Sequence, residues 1–269
     1  MRETEALTHK AAEIRKSVLA VAVKNHAGHI APSLSCLEIL VALYYRVMNY
    51  RDGDAAWPER DRLILSKAHG GYALYAILAD KGIIPKSEWE DFYTEKSTLL
   101  GCAERNMRYG IEASCGALGH GLPMAVGIAF GARLRGLPYH TYCIVGDGET
   151  QEGTTWEAIQ FAVKHEVSNL TIIVDRNRLQ AMDTILNILD CTDNDLLRRM
   201  EGFGLQPRLC PGQDAGQLAE VLTELKAAPR NRPALLIAQT TKGAGCKCME
   251  NVPKFHFRVP KPEELRMDQ

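Results

Sequence analysis

The 269-residue sequence has no run approaching the roughly 18 consecutive apolar residues that a membrane-spanning helix requires. It also has no excess of either charge. The 32 Lys and Arg stand against 33 Asp and Glu, which leaves no summed field to draw in nucleic acid or an anionic membrane surface. The opening residues, Met1 to Ala6, mix charges and no apolar core precedes Val18, so a secretory leader is not expected there. Eight cysteines form no Cys-x-x-Cys pair, which speaks against a zinc site; reduced thiols and a cytoplasmic location are expected. Two phosphate-binding signatures are missing as well. After Gly146 and Gly148 a dinucleotide fingerprint needs glycine at position 151, where Gln151 stands, and no Gly-Lys-Ser/Thr of a P-loop occurs.

What is present is the alternation of an α/β protein. Ile14, Val18, Val21 and Ala22 recur at helical spacing, Gly28 to Ser33 breaks the pattern as a loop, and Leu37 to Val47 resumes it. A short apolar run, Leu63 to Ser66, leads through Lys67-Ala68-His69-Gly70-Gly71 into helical spacing from Tyr72 to Lys81. Residues 83 to 113 carry little periodicity beyond a helix start at Lys86-Ser87-Glu88, and a long irregular loop in a compact domain is often functional. From Leu118 to Leu134 small and apolar residues alternate, which predicts a helix packed tightly inside the domain. Apolar runs at Thr141 to Val145, Leu170 to Val174 and Ala234 to Gln239 are separated by helical stretches near 154–166 and 214–227. That order predicts a parallel sheet with helices on both faces. With no internal repeat or linker, residues 1–269 read as one domain, and the last dozen residues as an exposed tail.

The chemistry concentrates in two strand ends. Tyr142 to Val145 runs directly into Gly146-Asp147-Gly148, and the next predicted strand ends at Asp175-Arg176-Asn177. In a right-handed βαβ unit both ends open on the same sheet edge, so Asp147 and Asn177 can converge and share a cation. A carboxylate, an amide oxygen and a backbone carbonyl are hard oxygen ligands of the kind Mg²⁺ or Ca²⁺ accepts, with diphosphate oxygens and water completing the shell. The glycines let the backbone approach phosphate, and the N-terminus of the helix after Gly153 adds favourable partial charge. The expected ligand is a metal diphosphate.

Gly146-Asp147-Gly148 followed by Asn177 resembles the thiamin diphosphate motif. Four further blocks resemble transketolases specifically: Gly28-His29-Ile30-Ala31-Pro32-Ser33-Leu34-Ser35, Asp61 through Gly70, Gly116-Ala117-Leu118-Gly119-His120-Gly121-Leu122, and Gly148-Glu149-Thr150-Gln151-Glu152-Gly153. The resemblance, to the N-terminal subunit of a split transketolase, implies the thiamin-diphosphate-binding fold and site roles. Asp147, Asn177 and the main-chain oxygen of Leu179 would hold Mg²⁺ or Ca²⁺. His69 and Gly148 would touch the diphosphate, Gly146 and Glu149 would belong to the cofactor site, Lys242 would approach the cofactor from its Thr-Lys-Gly loop, and the backbone of Gly116, Ala117 and Leu118 would meet the aminopyrimidine. His29 and His256 would face the reacting carbons, and Glu152 would join a carboxylate network across a subunit interface. His26, His140 and His165 are assigned to packing or surface.

By the same resemblance the cofactor supplies a stabilised carbanion, so that the protein must position it and choose what it attacks. The glutamate that activates the aminopyrimidine, and most residues that read the substrate phosphate, belong to a pyrimidine-binding domain expected on a separate chain in an α2β2 assembly. The implied activity is transfer of a two-carbon ketol unit from a ketose, such as a sugar phosphate, to an aldose. The alternatives are a thiamin-dependent 2-oxo acid decarboxylase or dehydrogenase subunit, and a transketolase-like enzyme for a modified sugar. One departure bears on that choice: where transketolases carry Gly-His-Pro, this sequence has Gly101-Cys102-Ala103, and a thiol is a weak hydrogen-bonding substitute for imidazole; the alternative is a one-residue slip in a variable loop, with Cys102 merely buried.

Overall fold

The computed structural model describes residues 3–189 and 191–266. Five strands, β1 (Arg62–Leu65), β2 (Thr141–Gly146), β3 (Leu170–Arg176), β4 (Pro207–Pro211) and β5 (Ala234–Gln239), form one sheet in the order β1-β2-β3-β5-β4, parallel throughout. Every residue of β2 and β3 is buried, as expected where helices cover both faces of a parallel sheet.

The helices preceding the sheet are α1 (Glu3–Asn25), α2 (Ile30–Ser35) and α3 (Leu37–Ala42), the last running on into a π-helical turn at Leu43–Val47. Next come α4 (Gly71–Asp80), α5 (Lys86–Glu90), α6 (Gly121–Leu134) and α7 (Gly153–Lys164). The C-terminal third holds α8 (Ile185–Leu189), α9 (Asp193–Gly202), α10 (Ala215–Ala227) and α11 (Pro262–Arg266). α6 packs on β1, β2 and β3 and against α7. α10 packs on β4 and β5 and against α1 and α3. Its buried residues Ala215, Leu218, Ala219 and Leu222 recur as one helical stripe.

The structure differs from the sequence reading in four places. The break falls at residues 26–29 rather than at Gly28–Ser33; the chain is helical again from Ile30, since Pro32 falls in the first turn, where its missing N–H costs nothing. Gly28 has φ +100°, and a Cβ there would collide with the rings of Tyr93 and Tyr72. α6 is buried along Leu122, Ala125, Val126, Ala129 and Ala132, but its other side is open. Leu134 is 73% exposed, and nothing lies within 4 Å of a Cβ at Gly127 or Gly131. β4 was unforeseen: Pro207 and Pro211 bound only five residues, four of them exposed or half-exposed, and proline within a run fits an edge strand, which is where β4 lies. The expected tail folds back in part, with Pro260 buried and Arg258 donating to Glu264 at 2.8 Å; residues 267–269 lie outside the described residues. No disulfide joins the described cysteines, and no helix among the described residues is long and apolar enough to cross a membrane.

Candidate functional site

The pairing of β2 with β3 sets Gly146 beside Asp175, and the chain of β2 then turns so that Asp147 N donates to Asp175 O at 3.2 Å. A 3₁₀ turn, Gly148–Gln151, intervenes before α7, so the first free N–H groups beyond the acidic turn belong to that turn rather than to α7 itself. Asp147 is buried. One of its oxygens accepts from Gly148 N at 2.8 Å and the other from Arg178 N at 2.6 Å, with the Arg176 guanidinium at 3.4 Å. Burial and the nearby Asp175 carboxylate push its pKa up to about 6, against the opposing pull of Arg176. Asn177 Oδ1 accepts from Leu179 N at 3.0 Å. Between them Arg178 takes φ +65°, a left-handed conformation uncommon for a residue with a side chain; it reverses the chain as it leaves the sheet.

Two buried carboxylates brace these turns. Glu149 accepts from Gly119 N at 2.8 Å, from Gly146 N at 3.0 Å and from Ser66 Oγ, so one side chain ties the loop before α6 to the end of β2. Burial raises its pKa. Asp175 accepts from Ser35, Thr240 and the wholly buried Lys67, whose Nζ also donates to Pro32 O at 2.9 Å. Sequence reasoning gave no role to Lys67, Asp175, Ser35 or Thr240. The signal available was a lysine inside an otherwise apolar strand-and-turn block and an aspartate closing an apolar strand.

Three histidines gather at one end of the site. The rings of His29 and His69 lie 5.7 Å apart, His29 and His256 5.3 Å, and His69 and His256 5.3 Å. Phe257 sets its ring edge-on to His29 at 4.7 Å. Burial, reinforced by nearby lysines, holds all three imidazoles neutral: His29 falls to about 4, His256 to about 3 and His69 well below its ordinary value. Lys242, 2% exposed, donates to His256 Nδ1 and to Gln180 O, each at 2.9 Å, and to Leu179 O at 3.5 Å; burial and Lys67 lower its pKa to about 8.

A cavity of about 250 Å³ opens over these groups. It brings together His69, Leu118, Gly146, Asp147, Gly148, Glu149, Glu152, Asn177, Leu179, Lys242 and His256, which are eleven of the fourteen residues singled out from sequence. His29 stands behind its rim within the histidine cluster. Gly116 and Ala117 are exposed on the loop before α6 and do not line it. Glu152 is exposed at the rim, ahead of α7. Cys102 lies close to the same region: a Cβ on Gly116 would be 4.0 Å from that of Cys102, and Ala103 N donates to Ala68 O at 3.0 Å, beside His69. His140 is buried against Thr171, while His26 and His165 are exposed, as expected.

The family pattern described as transketolase, thiamine diphosphate binding domain, matches residues 8–267. The chain belongs to the transketolase family. It is 39% identical over 264 residues to one of the subunits of the apulose-4-phosphate transketolase of Actinobacillus succinogenes, a match that covers 98% of this chain and 94% of that one. It is 35% identical over 246 residues to the 6-deoxy-6-sulfo-D-fructose transketolase subunit SqwG of a Clostridium species, covering 91% and 88%. Among solved structures, the transketolase of Campylobacter jejuni superposes with a TM-score of 0.89 at 25% identity over 98% of this chain. The chain spans 42% of the length of that transketolase.

The transketolase site has the donors and acceptors that a metal diphosphate needs. Gln180 Nε2 at the cavity is buried without a partner, as is His29 Nδ1 in the adjoining histidine cluster, and Lys242 Nζ and the Gly148 turn add further donors at the cavity. Asp147 keeps acceptor capacity beyond its three donors, and Asn177 Oδ1 keeps a second lone pair. Among the described residues no cluster of three or more His, Cys, Asp or Glu is placed to hold a metal ion by itself.

Proposed function

We propose that this chain is the thiamin-diphosphate-binding subunit of a two-chain transketolase that moves a two-carbon ketol unit from a ketose to an aldose. The observation that carries the reading is the convergence of Asp147, Asn177 and Leu179 with His69, Lys242 and His256 on one cavity, in a chain of this family. The cation, Mg²⁺ or Ca²⁺, is assigned to Asp147, Asn177 and the Leu179 main-chain oxygen. The diphosphate is assigned to His69, Gly148 and Lys242, and the aminopyrimidine to the Gly116–Leu118 backbone. When bound, the cofactor supplies the carbanion chemistry. This chain's residues orient it and exclude water, while the neutral His29 and His256 hydrogen-bond the hydroxyl groups of the sugar.

The reading includes residues 1–269 as a single diphosphate-binding domain, a pyrimidine-binding domain on a second polypeptide, an α2β2 assembly and a cytoplasmic location. The two relatives named as transketolase subunits, each of about this chain's length, support the second polypeptide. So does the apolar surface beside the cavity, where Met182 is 85% and Leu186 52% exposed. Glu152, exposed at the rim, is placed to meet that partner. Transketolase membership counts against a 2-oxo acid dehydrogenase subunit. A modified-sugar substrate is favoured by Cys102 and by the sugars in those relatives' names.

Calorimetric titration of thiamin diphosphate into the chain paired with a C-terminal transketolase subunit tests the site. Binding is expected to require Mg²⁺ and to be lost in Asp147→Ala. Binding that is indifferent to both would contradict the assignment.

A further inference from the structure

The Asp175 carboxylate has no exposure and stands two residues before Asn177 at the end of β3. Everything that reaches it is a donor. Ser35 Oγ lies 2.7 and 2.9 Å from its two oxygens, and Thr240 Oγ1 and Lys67 Nζ close the other sides. Ser35 owns one hydroxyl proton, and the charged acceptor claims it over Thr240 Oγ1 at 3.4 Å. Whatever meets the far side of Ser35 Oγ must then be a donor, and the atom there is Asn177 Nδ2 at 3.0 Å. Its second hydrogen faces Asp175 Oδ2 at 3.5 Å.

The other end of the amide is thereby settled. Asn177 Oδ1 turns away from the carboxylate and toward Leu179 N at 3.0 Å, with a lone pair to spare. The reversed amide would press oxygen against the Asp175 carboxylate and the Ser35 lone pairs, and NH₂ against the Leu179 N–H. Each of those contacts is repulsive, and on the side of Asp175 and Ser35, which have no exposure, no water can relieve it.

We propose that Asp175, acting through Ser35, is the positioning group that turns the Asn177 amide oxygen toward the cation of the diphosphate site. The inference rests on the function proposed above. Ser35 comes from α2 and Asp175 from β3, 140 residues apart in sequence, so the relay also locks the histidine-bearing turn at His29 to the cation-binding strand end. Lys67 is the counter-charge that makes a buried carboxylate tolerable at this point.

The test is the Mg²⁺ dissociation constant, measured at fixed thiamin diphosphate on the two-chain enzyme without turnover, for Ser35→Ala, Asp175→Asn, the double variant and Thr240→Val. Ser35→Ala is expected to weaken Mg²⁺ binding about tenfold, the worth of one hydrogen bond to a charged chain. The double variant should be little worse than Asp175→Asn, because both act on one relay. Thr240→Val removes a donor to Asp175 that does not touch the amide; it should lower the melting temperature and leave the Mg²⁺ constant within about twofold. Ser35→Ala is the decisive variant, since Asp175→Asn leaves Lys67 uncompensated and can fail to fold. A Ser35→Ala enzyme that loses stability as Thr240→Val does, with its Mg²⁺ constant unchanged, overturns the positioning role and leaves the proposed function standing. A wild-type pair that binds no Mg²⁺ with thiamin diphosphate overturns both.

Discussion

Lys242 Nζ lies 2.9 Å from Nδ1 of His256, the two residues joined across a loop that returns Asn251 N to Lys242 O at 2.9 Å. Because the lysine has donors alone, the imidazole accepts through Nδ1 and carries its proton on Nε2, the nitrogen left for substrate. Lys242→Met should therefore misplace His256. Turnover by the two-chain enzyme is expected to fall about tenfold, the cost of one charge-assisted hydrogen bond. The melting temperature should move little, because the methionine fills the buried volume without a charge to compensate. Full activity in the variant would contradict the arrangement.

The histidine cluster predicts a pH dependence of stability. His29 and His256 titrate near 4 and 3 in the folded chain against an ordinary value of 6.5, so the unfolded chain binds more protons between those limits. Their contribution to stability is present above pH 6.5 and is lost as pH falls toward 4. Asp147 works the other way, since its raised pKa of about 6 gives the folded chain an extra proton above 3.8. The comparison that isolates the imidazole is His29→Gln against wild type, by urea unfolding at pH 5 and pH 7 without cation or cofactor. The variant should lose less stability on acidification; equal losses would refute the buried, neutral imidazole.

Glu149 lines the cavity, and its carboxylate is committed to Ser66 Oγ and to the N–H groups of Gly119 and Gly146. Glu149→Ala leaves three donors unpaired in the interior and should cost about 3 kcal/mol or more. Urea denaturation measures it, and a loss under about 1 kcal/mol would show that the brace is dispensable.

Cys102 lies near both Gly116 and the Ala68–His69 turn. Cys102→His should shift the ratio of kcat/KM values between a modified and an ordinary ketose phosphate donor toward the ordinary one, by about tenfold for one gained hydrogen bond. An unchanged ratio would mean that residue 102 does not read the donor.

Much of this was legible in the sequence because the signals are local. Parallel strands buried on both faces read as unbroken apolar runs, and a strand that ends in Gly146-Asp147-Gly148 announces its turn. β4 escaped because its stability comes from pairing with β5 rather than from its own residues, two of which are prolines. The Ser35–Asp175–Lys67 network escaped for a related reason. Its members come from α2, β3 and the turn after β1, and nothing in any one segment reports that the others will meet it. Arg178 at φ +65° is likewise imposed by the fold on a residue that does not favour it.

The most direct measurement is thiamin-diphosphate-dependent ketol transfer from xylulose 5-phosphate, and from modified ketose phosphates, to ribose 5-phosphate. It compares this chain alone with the chain co-purified with a C-terminal transketolase subunit from the same genome. The account predicts no transfer by the chain alone and Mg²⁺-dependent transfer by the pair with at least one of these donors. Transfer by the chain alone, or none by a pair that binds thiamin diphosphate, would contradict it.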